Sequence, residues 1–391
     1  MSQRIFFGVL FLALSLPAAA QTPRTVSNAY NPAVSLILMG HYASFGQDPA
    51  RYALPGFALP AETGPGKEGL SLGESELVLT ANVDPLFYGA MTAVLTPENE
   101  VEVEEAFFET LALGHGLTVK AGRFLSHIGY LNSQHPHVWD FADPPLAYRA
   151  LLGNQYGDDG VQLRWVAPAE LYIEAGGELL RGENFPAGGA ARQGKGTRTA
   201  FLRTGGDVGV SHAWRAGVSF LDAKAKDRES GDPGSPDLFS GDSKLWILDF
   251  VWKWAPQGNP RERHFKLQAE YLRRTERGEF TPATSGTPSD YDSAQRGWYL
   301  QAVYQFMPRW RLGLRTDRLE ADPVEGTLAG SALDAQGHKP RRTTLMVDFS
   351  ASEYSRLRLQ LNRDESRPET RDRQWFLQYI MSLGPHGAHP F

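Results

Sequence analysis

Apolar and polar residues alternate with period two along much of the chain, most cleanly towards its C-terminal end. Leu357, Leu359 and Leu361 alternate with Arg356, Arg358, Gln360 and Asn362, which gives an extended strand one apolar and one polar face. The pattern returns in Trp375, Leu377, Tyr379, Met381 and Leu383 against Gln374 and Gln378, and in Trp298, Leu300, Ala302, Tyr304 and Phe306 against Gln301 and Gln305. Trp310, Leu312 and Leu314 oppose Arg309, Arg311 and Arg315 in the same way. Followed from the start, the alternation predicts strands near 31–45, 69–83, 86–97, 100–113, 116–124, 158–167, 170–181, 197–205, 208–221, 243–255, 261–275, 295–307, 309–320, 340–351, 353–364 and 370–383. That is about sixteen strands, and an even number is what a closed single-chain antiparallel barrel needs. The fourth strand alternates badly, because Val103 and Phe107 share a face with Glu105 and Glu109; this predicts a bulge or contact with another subunit.

The connectors alternate too. Those at 84–85, 114–116, 168–169, 206–207, 256–260, 308 and 352 are tight, whereas 46–68, 125–157, 182–196, 222–242, 276–294 and 321–339 are long and rich in Gly, Pro, Asp and Ser. Two connectors on the long side, 98–99 and 365–369, are short. Tight turns at one end and long loops at the other are the asymmetry of barrels that cross an outer membrane, the tight turns facing the periplasm.

Composition narrows the reading. Only 41% of residues are apolar, yet 11% are aromatic and 40 are Gly, which suits strands that need one apolar face each, with aromatic girdles at its ends. Residues 1–20 read as a secretory signal peptide: Arg4, an apolar run from Ile5 to Leu14 too short to span a bilayer, and Ala18, Ala19 and Ala20 before Gln21. Residues 21–391 then form a single barrel domain. The absence of cysteine excludes disulfides, thiol nucleophiles and Cys-ligated zinc, and a formal charge of −6 without a basic block argues against nucleic acid. The expected surroundings are outer-membrane lipid and lipopolysaccharide, with small solutes as cargo and a homotrimer as a compatible assembly.

The longest interruption, 122–160, is the third outward loop. It carries His127, His135, His137, Trp139, Asp140 and Asp143. A sixteen-strand lumen stays water-filled, so a long loop folded towards it is a constriction, with His135, His137, Trp139, Asp140 and Asp143 as the candidate lip. Arg164, Arg309, Arg311, Arg315, Arg356 and Arg358 fall on the polar side of their strands as a basic wall, joined by Arg203, Arg215 and Lys266. A basic wall facing an acidic loop biases passage towards small anions. The plainer alternative is that these arginines pair with Glu174, Glu178, Glu270 and Asp348 and stabilise the polar interior. His127, His135 and His137 are candidate metal ligands, zinc included, although no recognised zinc spacing is present; His386 and His389 form a second pair near the C-terminus. Trp139, Phe141 and Tyr148 pin the loop by packing or offer a surface to a solute. Ser126 with His127, or His137 with Asp140, lacks the third member of a catalytic set, so no enzymatic activity and no cofactor beyond a zinc ion is expected.

Several blocks resemble a known family: Asn31 through Leu38, Ser71 through Leu77 with Ala81 through Asp84, Gly129 through Asn132, and above all the run QHPHVWDFADPPL from Gln134 to Leu146. They are similar to a proteobacterial family of outer-membrane porin-like β-barrels, whose members are described as hypothetical, porin-like, or TonB-dependent and sometimes zinc-regulated receptors. The resemblance implies either a passive channel for small hydrophilic solutes or a substrate-specific uptake receptor for zinc or a metal complex. It also gives the terminal Phe391 the meaning of a barrel-assembly signal, weakened by the break in alternation at Gly384 and Pro385. A TonB-dependent transporter needs a 22-strand barrel and a plug, which a chain of 391 residues cannot hold.

Overall fold

The computed structural model describes residues 32–61, 63–96, 99–189 and 196–385. The expected signal peptide, the His386 and His389 pair and Phe391 lie outside the described residues. Seventeen strand segments form one sheet: β1 (Ala33–Ser44), β2 (Gly69–Leu72), β3 (Ser75–Asn82), β4 (Phe87–Leu95), β5 (Val101–Thr110), β6 (Leu117–Leu125), β7 (Gly157–Val166), β8 (Tyr172–Leu180), β9 (Thr197–Val208), β10 (His212–Asp232), β11 (Ser235–Trp254), β12 (His264–Thr281), β13 (Ser289–Met307), β14 (Trp310–Ala321), β15 (Arg341–Ser352), β16 (Ser355–Glu365) and β17 (Asp372–Leu383). One short helix, α1 (Leu146–Leu152), lies between β6 and β7.

Closure follows from the pairing. β17 returns antiparallel to β1, with Leu36 opposite Leu383 and Ser44 opposite Trp375. On its other edge β1 pairs with β2 at Gly40 to Ala43 and with β3 at Ala33 to Ile37, so β2 and β3 are two halves of one strand broken at Gly73 and Glu74. Joining them turns the seventeen segments into sixteen wall strands, and the ring has no free edge.

The two faces of the wall invert the usual order of burial. On β16, Leu361 is 49% exposed while Arg358 is 1% exposed. Leu357, Leu359, Trp375, Leu377 and Tyr379 look outward on β16 and β17, and Trp298, Leu300, Trp310, Leu312 and Leu314 on β13 and β14. An apolar outside around a charged inside is stable only where lipid replaces water at the outer face.

Two expectations about strand ends are corrected. The stretches 222–242 and 276–294, read as long loops, are mostly strand: β10 and β11 meet through a turn at 233–234, and β12 runs on to Thr281. β10 has 21 residues and β11 20, twice what a span requires, so this hairpin stands clear of the membrane. Phe239, Phe280 and Tyr291 pack there with Leu328 and Leu333, which is the apolar contact that holds Gly- and Ser-rich sequence in strand.

The irregular fourth strand resolves into a bulge on β5. Thr92 faces Glu105 and Ala93 faces Val103, which leaves Glu104 without a partner position. The extra residue flips the side-chain parity, so Val103 turns outward while Glu104 and Glu105 both point into the barrel.

Candidate functional site: the third loop inside the barrel

β6 and β7 stay paired up to Leu125 opposite Gly157, so the loop between them leaves and re-enters the wall at neighbouring points. Asn132 cinches its base: the amide nitrogen donates to the carbonyls of Ser126 (2.8 Å) and Tyr156 (2.7 Å), and its oxygen accepts from the Tyr156 N–H (2.8 Å). Ser126 Oγ donates to Glu178 on β8, and the His127 N–H donates to the same carboxylate at 2.8 Å. From that base the loop turns into the barrel and touches the wall nearly all the way round.

On β12, Glu270 accepts from the N–H groups of Tyr130 (3.0 Å) and Leu131 (3.1 Å), and from the hydroxyls of Tyr148 (2.9 Å) and Tyr299 (2.5 Å). Gly129 enables the turn into this contact, with φ of 62° and no room for a Cβ, which would lie 2.5 Å from Glu270 Oε2. Arg203 on β9 donates to the carbonyls of His127 and Gly129.

On the far wall Asp140 sits between Lys266 and Arg311, each at 3.0 Å. Asp143 is gripped by Arg315 (2.6 Å) and Arg342 (2.7 Å) and also accepts from Gln360 and Asn362. Burial opposes the charge on both aspartates, but the Lys266 and Arg311 cations at Asp140, and the Arg342 and Arg315 guanidiniums at Asp143, outweigh it and hold both carboxyls well below the usual carboxylate range. Asp317 accepts the first N–H of α1, from Leu146 at 2.9 Å, and Gly153 ends the helix in the left-handed region at φ 64°. Every residue of α1 is buried. It packs with Leu54 and Phe57 of loop 45–68 and with Leu221, Leu245, Leu272 and Leu319 of the wall in the main apolar cluster.

The structure brings most of the sequence candidates together, in altered roles. His137, Trp139, Asp140 and Asp143 are buried anchors against the wall, and His135 alone of the five candidates keeps partial exposure. Arg311, Arg315, Arg356 and Arg358 form the wall they dock on, the last two donating to the carbonyls of His137 and Trp139. Arg164 lines the lumen at the other side, beside Glu109 (3.4 Å) and Glu174 (3.7 Å). Arg309 is a correction: it occupies the turn between β13 and β14, exposed and at φ 73°, because strand alternation does not hold where the chain reverses. The proposed histidine trio is also divided. His127 stands beside Glu174 at 3.3 Å and against Phe201, where burial pushes it down to about 4, whereas His135 and His137 stack with centroids 5.8 Å apart. Trp139 donates to Gln134 and Phe141 lies under Arg315, so the loop aromatics pin it.

Sequence reasoning missed the carboxylates that meet the histidines. His135 lies between Glu104 (Nδ1, 2.9 Å) and Glu105 (Nε2, 3.0 Å), and His137 Nδ1 is 2.7 Å from Glu76. Burial disfavours a charge on His135, but its two glutamates reverse that and raise it well above the ordinary histidine value. The one signal for this contact was the broken alternation at Val103 to Glu109.

No family model matches the chain. It is 32% identical over 344 residues to an uncharacterised protein of Aquifex aeolicus (strain VF5), covering 83% of this chain and 71% of the relative. Among solved structures it resembles the anion-selective porin from Comamonas acidovorans (TM-score 0.56, 12% identity, 90% of this chain and 98% of that one). It also resembles the trimer form of OmpT, an outer-membrane protein of Vibrio cholerae (TM-score 0.54, 11% identity, 90% and 98%). At such identities the structural likeness speaks for the fold. Given that fold, its lipid-facing exterior and a relative matched over most of its length, the chain is a membrane-spanning sixteen-strand barrel of the porin fold and belongs to one family with the Aquifex protein.

Proposed function

We propose that this barrel is a channel for passive diffusion of small hydrophilic, anionic solutes, with the third loop setting its aperture. The observation that carries the reading is the loop docked by charge inside a polar lumen, a geometry that narrows a pore. Among the described lumenal side chains that form ion pairs and retain water access, cationic groups outnumber carboxylates. Arg164 (26%), Arg215 (27%), Lys120 (17%), Lys266 (18%) and Arg311 (13%) stand against Glu104 (21%), Glu105 (14%) and Glu109 (22%). That surplus attracts anions into a low-dielectric passage. The anion-selective solved relative and the trimeric one are consistent with this reading and with a homotrimer packed through the short strands β3 to β6. Liposome swelling tests the channel: vesicles carrying the protein should swell faster in small anionic solutes than in matched cationic ones, and an equal or reversed order would sink the charge preference.

One observation favours a second reading, substrate-specific uptake of zinc or a metal complex. The burial of α1 and of loop residues 54 and 57 in one apolar cluster is the packing that a closed entrance, rather than an open vestibule, requires. Absence of swelling by any small solute, with capture of a particular one, would favour it.

A further inference from the structure

The bulge on β5 places two consecutive carboxylates on one imidazole. His135 Nε2 meets Glu105 at 3.0 Å, and Glu105 is itself fixed by the Leu125 N–H at 3.0 Å. The other nitrogen, Nδ1, faces Glu104 at 2.9 Å and Glu76 at 3.5 Å. The second oxygen of Glu76 is held by His137 Nδ1 at 2.7 Å. The loop's own Asp140 and Asp143 meet arginine or lysine, whereas the ion pairs of Glu104 and Glu105 are with His135.

We propose that His135 Nδ1, Glu104 and Glu76 bind a divalent transition metal of the zinc class, tying the third loop to β3 and β5. Imidazole and carboxylate together suit such ions, and these three donors already lie within 4.8 Å of one another. Metal–ligand distances of about 2.1 Å put tetrahedral ligand atoms roughly 3.4 Å apart. The Nδ1 to Glu76 separation of 3.5 Å fits as it stands, and Glu104 needs to withdraw by about half an ångström.

The supporting contacts are those a metal site requires. Glu105 on Nε2 fixes the ring orientation and leaves Nδ1 for the ion, and His137 on Glu76 orients the ligating carboxylate through its other oxygen. Glu74, at the break between β2 and β3, stands in the field of Glu76 and Glu104, so a divalent cation there offsets like charges that lie close together. His135 and Glu104 keep about a fifth of their surface exposed, which gives an ion a way in from the lumen. His127, beside Glu174, takes no part. The site stands whatever passes through the barrel.

Calorimetric titration of the full chain, folded in detergent and freed of metal, with Zn²⁺ as the probe tests this directly. One ion per chain should bind, with affinity reduced about 10–100-fold or more in Glu104→Gln and His135→Ala and unchanged in His127→Ala. No stoichiometric binding, equal binding in Glu104→Gln and His135→Ala, or loss in His127→Ala overturns the assignment. Should His135→Ala fail to fold, Co²⁺ absorption of the unmodified chain decides: visible bands of four-coordinate nitrogen and oxygen ligation support the site, and an octahedral aquo spectrum refutes it.

Discussion

Asp143 is the residue on which the docking of the third loop depends most, and replacing it by alanine isolates that dependence. The carboxylate is 6% exposed and accepts from Arg315 at 2.6 Å, Arg342 at 2.7 Å, Gln360 at 2.8 Å and Asn362 at 3.0 Å. Removing it leaves two guanidiniums, each at most 1% exposed, with Asp317 as their remaining shared carboxylate. Breaking a buried pair from one side costs about 3–5 kcal/mol, and the retained Asp317 places the expected loss near the lower figure, about 3 kcal/mol. Asp143→Asn keeps the shape and two acceptor contacts, so it should lose less. The loss falls on docking of the segment 140–152 more than on the wall, because the ladder from β12 to β16 does not use Asp143. Single-channel recording should therefore give a larger and noisier conductance for Asp143→Ala, and limited proteolysis should cut the loop while the barrel still resists heated detergent. Conductance and protease resistance equal to the unmodified chain would refute the claim that charge holds the loop in place.

Other perturbations probe separate parts of the account. Gly129→Ala puts a Cβ at φ 62° and 2.7 Å from the Tyr148 hydroxyl, so the loop should be destabilised by about 1–3 kcal/mol beyond the clash, visible in urea midpoints. Leu359→Lys, on the lipid face of β16, should lower folding stability in bilayers by about 2–4 kcal/mol, and a neutral effect would place that residue away from lipid. His127 has a folded pKa of about 4 against 6.5 unperturbed, so the unfolded chain binds the extra proton between those values. Its contribution is complete above pH 6.5 and is lost as pH falls towards 4, roughly 3 kcal/mol across the window. His127→Gln should flatten that slope in urea titrations at successive pH values, and an unchanged slope would contradict a buried neutral histidine.

The wall was legible because its signal is local. One apolar face per strand, as in Leu357, Leu359 and Leu361, fixes both the strand and its outward side, and closure follows from having no edge to leave unpaired. What escaped depends on contacts distant in sequence. The strands β10 to β13 continue above the membrane because Phe239, Phe280 and Tyr291 pack with Leu328 and Leu333, a grouping that the Gly-rich composition of 222–242 concealed. The break at Gly73 and Glu74 left the alternation on either side intact and so passed as one strand. In the site, the loop aspartates and the arginine wall were visible as opposite charges, but their direct contact was not, since Asp143 and Arg342 are 199 positions apart. The partners of His135 and His137 precede them by 30 to 61 residues, and only the disturbed parity of β5 hinted that two glutamates face inward together.

The central claim, an outer-membrane channel with a basic lumen narrowed by its third loop, is tested most directly by the reversal potential of the unmodified protein in a planar bilayer under a KCl gradient. The account predicts steady conductance with a reversal potential displaced towards that of chloride. A potential displaced towards that of potassium, or a bilayer that stays silent with the protein inserted, would contradict it.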